Sequence, residues 1–239
     1  DYLPFIELMR FFTPFGIGHF NEKIQLKGKN WHNNTPYRQD ITELRPQLSG
    51  KEILIGAFIG NYDKGGHQIS LELSIHPDQQ KILNNNFVLP VFNTTNVMEM
   101  AGQDYPTMFN SDKGVEVEFT LTKDLKNAQL RYITTGHGGW GAGDEFVPKE
   151  NSIYLDGKLA HAFTPWRTDC GSYRLFNPAS GNFEDGLSSS DLSRSNWCPR
   201  TITNPVYINL GNLNAGKHTI QVKIPQGAPE GSSQSFWNV

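Results

Sequence analysis

The sequence lacks the features that mark membrane-spanning and nucleic-acid-binding proteins. None of its apolar runs approaches the roughly 20 residues that a helix needs to cross a bilayer. Its 21 basic and 24 acidic residues give a formal charge of -3, with no long run of like charge. These absences argue against a membrane span and against nucleic acid as the main partner. At 239 residues the chain is long enough to bury a core in one large β domain or in two ordinary domains.

Cysteine is scarce as well. The two cysteines, Cys170 and Cys198, both lie in loop-like sequence rich in Gly, Ser, Asn and Asp. A bridge between them would close a loop of about 28 residues, which the chain-entropy model values at about 3 to 4 kcal/mol. Two unrelated buried thiols are the alternative, and the loop setting favours the bridge. Because a bridge needs an oxidising compartment, we expect a secreted or periplasmic protein.

Motifs for metals, phosphates and serine nucleophiles are also missing. The seven histidines include no H-x-H or H-x-x-x-H pair and no neighbouring cysteine. No G-x-S-x-G occurs, and the one glycine-dense loop leads into a strand rather than into a helix that could hold an anion. We therefore predict neither a metal nor a cofactor.

What the sequence does contain is typical of an all-β protein. Aromatic residues make up 12%, Gly and Pro number 23 and 14, and apolar residues alternate with polar ones. One short helical turn is predicted within residues 40–50, where Leu44 and Leu48 lie at i, i+4. The predicted strands are residues 5–12, 53–59, 69–75, 87–92, 115–121, 129–133, 153–155, 206–210, 218–224 and 235–239.

The strand pattern predicts two packed antiparallel sandwiches of jelly-roll type. Hairpin signals are frequent, and the spacing of βαβ units is absent. The pattern breaks over residues 77–87, and an apolar run restarts at Phe87. We therefore predict an N-terminal jelly roll at residues 1–82 and a C-terminal one at residues 86–239.

The glycine-dense loop is the most informative stretch for chemistry. Five of the eight residues from Gly136 to Gly143 are glycine, with His137 and Trp140 as the large side chains. Such a backbone lets a ligand approach closely. Glu145 follows, just before a predicted strand, where a carboxylate can serve as an acid or a base. The alternative is a solvated loop glutamate, which is the commoner role of a surface carboxylate.

Aromatic and charged residues share this part of the sequence. Trp140, Phe146, Trp166 and Trp197 are near Glu145, Asp169 and Arg194. Aromatic faces beside carboxylates are typical of sugar-binding clefts, where a ring covers the apolar face of a pyranose. The alternative is that Trp166 and Trp197 pack around a disulfide. Arg194, within the loop that a bridge would close, is suited to orient a carboxylate or polarise a carbonyl.

Ordered motifs carry a family resemblance over nearly the whole chain. In the second half they are Thr135-Gly-His-Gly, Asp144-Glu-Phe-x-x-Lys, Asn151-Ser-Ile-Tyr-Leu-Asp-Gly, Asp169-Cys, Asn177-Pro and Arg194-Ser-Asn-Trp-Cys-Pro. In the first half the segment Glu7-Leu-Met-Arg-Phe-Phe-Thr-Pro-Phe-Gly is similar to an E-x-x-R-F-I-T-P-Y pattern. Together they resemble the peptide:N-glycosidase F family of bacterial glycoamidases.

The resemblance implies two eight-stranded jelly rolls and hydrolysis of the amide between N-acetylglucosamine and asparagine, without a metal. The partner is then an N-linked glycoprotein or glycopeptide, and we expect a monomer. Glu145 matches the family's second-domain active-site glutamate, and Arg194 matches its active-site arginine. His137 stands where the family has a sugar-contacting tryptophan. We list Trp140, Trp197 and Asn61 with His137 as predicted substrate-binding residues.

Two departures from the family pattern keep a second function open. The family's catalytic aspartate follows a tryptophan upstream of the E-x-x-R-F segment; only Asp1 could match it, and the tryptophan before it is missing from the sequence. Either Asp1 is that residue in a chain trimmed at its start, or the aspartate has been lost. The strand from Ile55 to Asn61 also lacks a further family glutamate. We predict a glycoamidase in which Asp1 activates water, with Glu145 and Arg194 at the sugar and the amide. The alternative is a non-catalytic glycan-binding or adhesion protein on the same scaffold.

Overall fold

A computed structural model describes residues 5–17, 25, 27–60, 66–76, 87–94, 108–110, 113–138, 143–178, 188–227 and 235–239. The chain divides into two compact units, residues 1–39 together with 90–239, and residues 40–89. The division into jelly rolls at residues 1–82 and 86–239 stays a prediction. Within the described ranges, no helix has the length and apolarity required for a membrane crossing.

The larger unit is built from short antiparallel strands. They are β1 (Arg10–Phe11), β2 (Val115–Leu121), β3 (Leu125–Tyr132), β4 (Thr135–His137), β5 (Asn151–Leu155), β6 (Lys158–Phe163), β7 (Ile202–Thr203), β8 (Val206–Leu213), β9 (Gly216–Lys223) and β10 (Phe236–Asn238). Strands β2, β9, β5 and β6 form one four-stranded sheet in that order. Three two-stranded pairs, β3 with β8, β4 with β10 and β1 with β7, complete the set.

One hydrophobic core joins the four-stranded sheet to the β3–β8 pair. Ile153, Ile220 and Val222 reach it from the first sheet, and Tyr132 and Ile208 reach it from the second. The alternation of apolar and polar residues explains this arrangement, because side chains of a strand point to opposite faces in turn. The predicted all-β class with antiparallel sheets is therefore confirmed.

Strand predictions succeeded where a partner strand lies alongside. Strands β2, β3, β8 and β9 contain or overlap the segments predicted at residues 115–121, 129–133, 206–210 and 218–224. The segment predicted at residues 5–12 is shorter in the structure, because only Arg10–Phe11 pairs with β7. No strand is formed at residues 87–92.

The smaller unit contains the predicted helical turn but not the predicted strands. A 3-10 helix at Thr42–Leu44 leads into α1 at Arg45–Leu48, and Leu44 is buried. The strands predicted at residues 53–59 and 69–75 are wrong for this structure, since neither segment joins a ladder. Among the described residues no strand pairs with these segments and no layer covers them. Their apolar side chains are therefore exposed to solvent, with Leu54 99% and Ile75 83% exposed.

Cys170 and Cys198 form the predicted disulfide. Their Cα atoms lie 5.1 Å apart, and 28 residues separate them in sequence. Both are fully buried beside a 3-10 helix at Cys170–Phe176. The bond therefore ties the start of this helix to the segment that follows Arg194.

Removing the disulfide should lower stability in proportion to the loop that it closes. We expect Cys170→Ala/Cys198→Ala to reduce the free energy of unfolding by about 3 to 4 kcal/mol, because the unfolded chain regains the entropy of that loop. Urea unfolding followed by far-UV circular dichroism measures this difference. An unchanged free energy of unfolding in the double variant would contradict the expectation.

Candidate functional site

Glu145 and Arg194 form a largely buried ion pair. The Nε of Arg194 donates to Oε1 of Glu145 over 2.9 Å, and the two side chains are 1% and 18% exposed. Oε2 of Glu145 accepts a longer bond, 3.2 Å, from the backbone N–H of Gly138. The carboxylate thus has one donor on each oxygen and keeps its outer edge towards solvent. Each oxygen can accept a further hydrogen bond.

Aromatic rings surround the guanidinium of Arg194. Its Cζ lies 4.8 Å from the ring centre of Trp197, 5.0 Å from that of Phe146 and 5.7 Å from that of Phe15. Its Nη1 donates to the carbonyl of Leu192 over 3.0 Å. Burial lowers the pKa of Arg194, and the negative charge of Glu145 opposes that effect. The rings offer favourable cation–π contact where water is excluded.

Backbone hydrogen bonds hold the segments of the pair together. Ser195 donates its N–H to the carbonyl of Glu145 over 3.0 Å, and Gly136 donates to Ser195 over 3.1 Å. Glu145 donates in turn to the carbonyl of Gly138. The segment with Arg194 therefore lies between β4 and the segment with Glu145. The long-range ladder brings together two side chains that are 49 residues apart.

Trp197 supports this arrangement from inside. Its Nε1 donates to the carbonyl of Gly136 over 2.9 Å, and its ring stacks on Phe12 with 4.5 Å between centres. Only 6% of the residue is exposed. With Phe12 and the guanidinium of Arg194 against it, the ring is positioned as a packing partner of the ion pair.

His137 lies next to Trp197 and is held neutral. Its ring centre is 5.3 Å from that of Trp197 and 5.2 Å from that of Phe236. Burial, together with the positive charges of Arg10 and Arg194, lowers the pKa of His137 to about 3. Its Nε2 lies 2.8 Å from Oγ1 of Thr135. A hydroxyl donating to this nitrogen suits the neutral imidazole.

A second buried ion pair, Glu7 with Arg10, lies on the other side of Thr135. Arg10 donates from Nε and Nη2 to the two carboxylate oxygens of Glu7, over 2.8 and 2.7 Å. Its Nη1 donates to Oγ1 of Thr135 and to the carbonyl of Asn238. Burial alone would raise the pKa of Glu7, but Arg10 brings it below the usual value. Sequence reasoning missed this pair, although two opposite charges at i, i+3 within an apolar segment are a signal for it.

Asp144, the neighbour of Glu145, is a structural carboxyl group. It is fully buried, and it accepts hydrogen bonds from the N–H of Gly227 over 2.8 Å and from Oγ of Ser235 over 2.6 Å. Burial raises its pKa, and these two donors oppose the rise. Adjacent residues in the sequence thus serve different purposes, since Asp144 anchors two loops and Glu145 faces the site.

The predicted site residues fall into two groups. Glu145, Arg194, Trp197 and His137 come together around Gly136. Asp1, Asn61 and Trp140 lie outside the described residues, and their roles stay predictions. Within the described part of the chain, no group of three or more His, Cys, Asp or Glu side chains is arranged to hold a metal ion.

Two protein-family models match most of the chain. The family model described as peptide-N-glycosidase F, C terminal, matches residues 104–239, and the corresponding N-terminal model matches residues 1–75. The chain belongs to the peptide-N-glycosidase F family. The first of these matches contains Glu145, Arg194 and the disulfide. No curated protein matches the chain.

Two solved structures of PNGF-II resemble the chain over its whole length. The structure in the C2 space group is 98% identical with a TM-score of 0.92, and the one in the P21 space group is 99% identical with the same TM-score. The chain spans 44% of the length of each. A structure of recombinant peptide: N-glycanase F matches 52% of the chain at 17% identity, with a TM-score of 0.35.

The neutral state of His137 makes stability depend on pH in a defined direction. Its pKa is about 3 in the folded protein against 6.5 ordinarily. Below pH 6.5 the unfolded chain therefore binds a proton that the folded protein does not. The free energy of unfolding consequently decreases as the pH is lowered. At pH 5 we expect this histidine to contribute up to about 2 kcal/mol of the loss.

Replacing His137 isolates that contribution. Urea unfolding of the wild type and of His137→Gln at pH 7 and pH 5 should show a smaller loss of stability in the variant. Glu7 and Asp144 titrate in both proteins, so they cancel in the comparison. An equal loss in both proteins would contradict the prediction.

Gly136 is required where three segments meet. A Cβ at this position would lie 2.5 Å from the carbonyl oxygen of Asp144, 2.9 Å from Cβ of Ser195 and 2.9 Å from Cζ2 of Trp237. We expect Gly136→Ala to lower stability by about 1 to 3 kcal/mol, because such close contacts force the backbone apart. Thermal unfolding measures the effect. Gly171→Ala is the matched control, since its nearest contact would be Cβ of Asp191 at 4.0 Å. Equal losses of stability in the two variants would contradict the argument.

Proposed function

We propose that this chain is the core of a glycoamidase that hydrolyses the amide between N-acetylglucosamine and asparagine in N-linked glycoproteins or glycopeptides. One observation carries the proposal. In a member of the peptide-N-glycosidase F family, a glutamate that faces solvent is held by a buried arginine, Arg194, at 2.9 Å. Such a pair fixes a carboxylate in one orientation, as recognition of a sugar hydroxyl or an amide requires.

Glu145 is the proposed contact with substrate. Its 18% exposed carboxylate keeps free lone pairs on both oxygens, which suits hydrogen bonds from sugar hydroxyls or from the amide N–H. Arg194, at 1% exposure, acts through Glu145 as a positioning residue. Trp197 supports Arg194, and His137 at the partly exposed edge is the proposed aromatic neighbour of the sugar. Trp140 and Asn61 remain predicted substrate contacts.

The hydrolysis itself needs a base for water, and Asp1 is the proposed one. In this scheme Asp1 accepts a proton from water while the water oxygen bonds to the amide carbon. The carbon–nitrogen bond then breaks, the nitrogen takes up a proton, and a glycosylamine leaves. The asparagine side chain becomes an aspartate. No metal or cofactor enters the scheme.

The setting of the enzyme follows from the disulfide. A buried Cys170–Cys198 bond persists in oxidising compartments, which supports a secreted or periplasmic location. N-linked glycoproteins are also found outside the cytosol, so location and substrate agree. We propose that the enzyme is a monomer.

A glycan-binding protein without turnover is the second candidate. The observation that favours it is the lack of a glutamate in the segment from Ile55 to Asn61. Both candidates require Glu145 and Arg194 to contact or organise the sugar, whereas only the enzyme requires Asp1. Turnover is therefore the measurement that separates them.

Release of glycans tests the proposal. Incubating the protein with a denatured N-glycosylated protein should release intact glycans and convert the linked asparagine to aspartate, both of which mass spectrometry detects. We expect Glu145→Gln to lower kcat/KM by roughly 100-fold, because an oriented carboxylate is lost. Glu150→Gln, which changes an exposed carboxylate nearby, should leave kcat/KM unchanged. Circular dichroism checks that the variants fold.

Arg194→Lys tests the positioning role. The lysine ammonium keeps the positive charge but cannot reproduce the planar set of donors of a guanidinium. We therefore expect kcat, calculated per folded molecule, to fall. Arg194→Met, which also removes the charge, should have a still lower kcat. Glycan binding by the wild type without any release would sink the enzyme proposal and favour the binding protein.

A further inference from the structure

A cavity of about 530 Å³ lies beside the candidate site, on the other side of the segment that contains Arg194. It does not include Glu145. Arg167 of its lining is joined to Arg194 by two backbone hydrogen bonds, of 2.8 and 3.0 Å. Asn196, two residues after Arg194, also lines it. The cavity and the candidate site therefore share one wall, and its volume lies within the range of small-ligand pockets.

Three arginines line this cavity, and their partners differ. Arg167 donates to both carboxylate oxygens of Asp169, over 2.8 and 2.6 Å. Arg38 is exposed and has no ion pair or hydrogen bond with a described residue. Arg200 likewise has no carboxylate partner in the described part of the chain. Counting Asp169, the lining carries a net charge of +2, from Arg38 and Arg200.

Arg200 is an arginine held in place without a polar partner. Its Nε is buried and has no hydrogen-bond partner among the described residues. Its guanidinium stacks on the ring of Phe176 with 4.0 Å from Cζ to the ring centre. Its backbone has a φ of 81°, in the left-handed region that arginine rarely adopts. An arginine without a carboxylate partner among the described residues, held in a rarely adopted backbone conformation at a cavity wall, is suited to bind an anion through its terminal nitrogens.

Neutral hydrogen-bonding groups complete the lining. Tyr37, Tyr173 and Asn204 are among the lining residues, and both tyrosine hydroxyls already take part in hydrogen bonds within the protein. Burial raises the pKa of Tyr37 to about 12, and the nearby charge of Arg200 opposes the rise. Tyr37 therefore remains a neutral phenol at ordinary pH. No acidic side chain is among the lining residues, and Asp169, which pairs with Arg167, is not itself part of the lining.

We propose that this cavity, which we name the arginine cavity, binds an oxyanion through Arg200 and Arg38. The ligand is a carboxylate, phosphate or sulfate group, because a flat guanidinium pairs best with an oxygen fork. Two sources fit this chemistry. One is a free inorganic anion. The other is an acidic group on the glycopeptide substrate, and this second source rests on the proposed glycoamidase function.

Inorganic phosphate is the probe for the first source. Isothermal titration of phosphate into the purified protein should show saturable binding that weakens as sodium chloride screens the charges. We expect roughly tenfold or more weakening in Arg200→Gln and in Arg38→Gln, since each removes a charge-assisted hydrogen bond. Lys126→Gln, which removes an exposed charge on β3 away from the cavity lining, is the control and should bind as the wild type does.

Paired glycopeptides are the probe for the second source. Two peptides with the same glycan, one with an aspartate beside the glycosylated asparagine and one with asparagine there, are titrated into protein with Asp1→Asn, which removes the proposed base and keeps Glu145. Tighter binding of the acidic peptide that disappears on adding Arg38→Gln supports a substrate source. This readout needs no turnover, so failure of the glycoamidase activity would be seen separately.

Phosphate binding that depends on Arg38 or Arg200 supports a free anion, and acidic-peptide preference that depends on them supports a substrate group. Arg38→Gln keeps the test valid if Arg200→Gln fails to fold, because Arg38 is exposed and has no ion pair or hydrogen bond with a described residue. The proposal is overturned if neither probe discriminates, or if both bind equally to the wild type, Arg38→Gln and Lys126→Gln.

Discussion

The buried charge of Arg194 is the constraint on which the candidate site depends. Moving a guanidinium out of water costs several kcal/mol, and a protein must recover that cost locally. Glu145 supplies the opposite charge at 2.9 Å, and the carbonyl of Leu192 accepts from a second nitrogen. Aromatic faces replace water around the rest of the group. Loss of Glu145 would leave the charge unpaired, at a cost of roughly 3 to 5 kcal/mol.

The same requirement explains why the surrounding backbone is so closely tied. An ion pair gains from burial only if both groups keep their positions. The backbone hydrogen bonds from Ser195 to Glu145 and from Gly136 to Ser195 hold the Arg194 segment against the residues around Glu145. The disulfide at Cys198, four residues after Arg194, holds the following end of that segment. Gly136 allows the close approach that the ladder demands, because any larger residue would contact the carbonyl of Asp144.

Two buried arginines also determine the chemistry available near His137. Arg10 and Arg194 both add to the effect of burial, and the pKa of the imidazole falls to about 3. A base this weak accepts few protons at neutral pH, so His137 is unsuited to general base catalysis. The proposed use of Asp1 as the proton acceptor for hydrolysis is consistent with this property of His137. The neutral ring remains suitable for packing against a sugar.

The sequence allowed prediction of the parts of the fold that depend on local pattern. Alternation in β2 and β9 determined which residues face the core, and the loop-like setting of Cys170 and Cys198 indicated their bridge. The apolar run at residues 53–59 misled, because continuous apolarity predicts a covered strand only where a partner strand and a covering layer exist. Leu54, 99% exposed, has neither among the described residues.

The sequence pointed to residues of the candidate site but not to their geometry. Family motifs singled out Glu145 and Arg194, whose catalytic roles stay predictions, and nothing in their spacing indicated that Arg194 would be almost fully buried while Glu145 stays 18% exposed. The pair of Glu7 and Arg10 escaped prediction for the same reason. Its partners, Thr135 and Asn238, are more than 100 residues away in the chain. Such long-range contacts follow from tertiary packing, which single-sequence patterns do not encode.

The arginines differ in a way that the sequence cannot reveal and that bears on function. Arg10 and Arg194 have carboxylate partners, so their charge is used within the protein to hold segments in place. Arg200 has its guanidinium on an aromatic face and its Nε buried without an acceptor among the described residues. An internally compensated charge organises structure, whereas an uncompensated one attracts an external anion. Asn196 lines the arginine cavity and Arg167 of its lining is bonded to the backbone of Arg194, so an anion bound there would lie beside the same segment that positions Glu145.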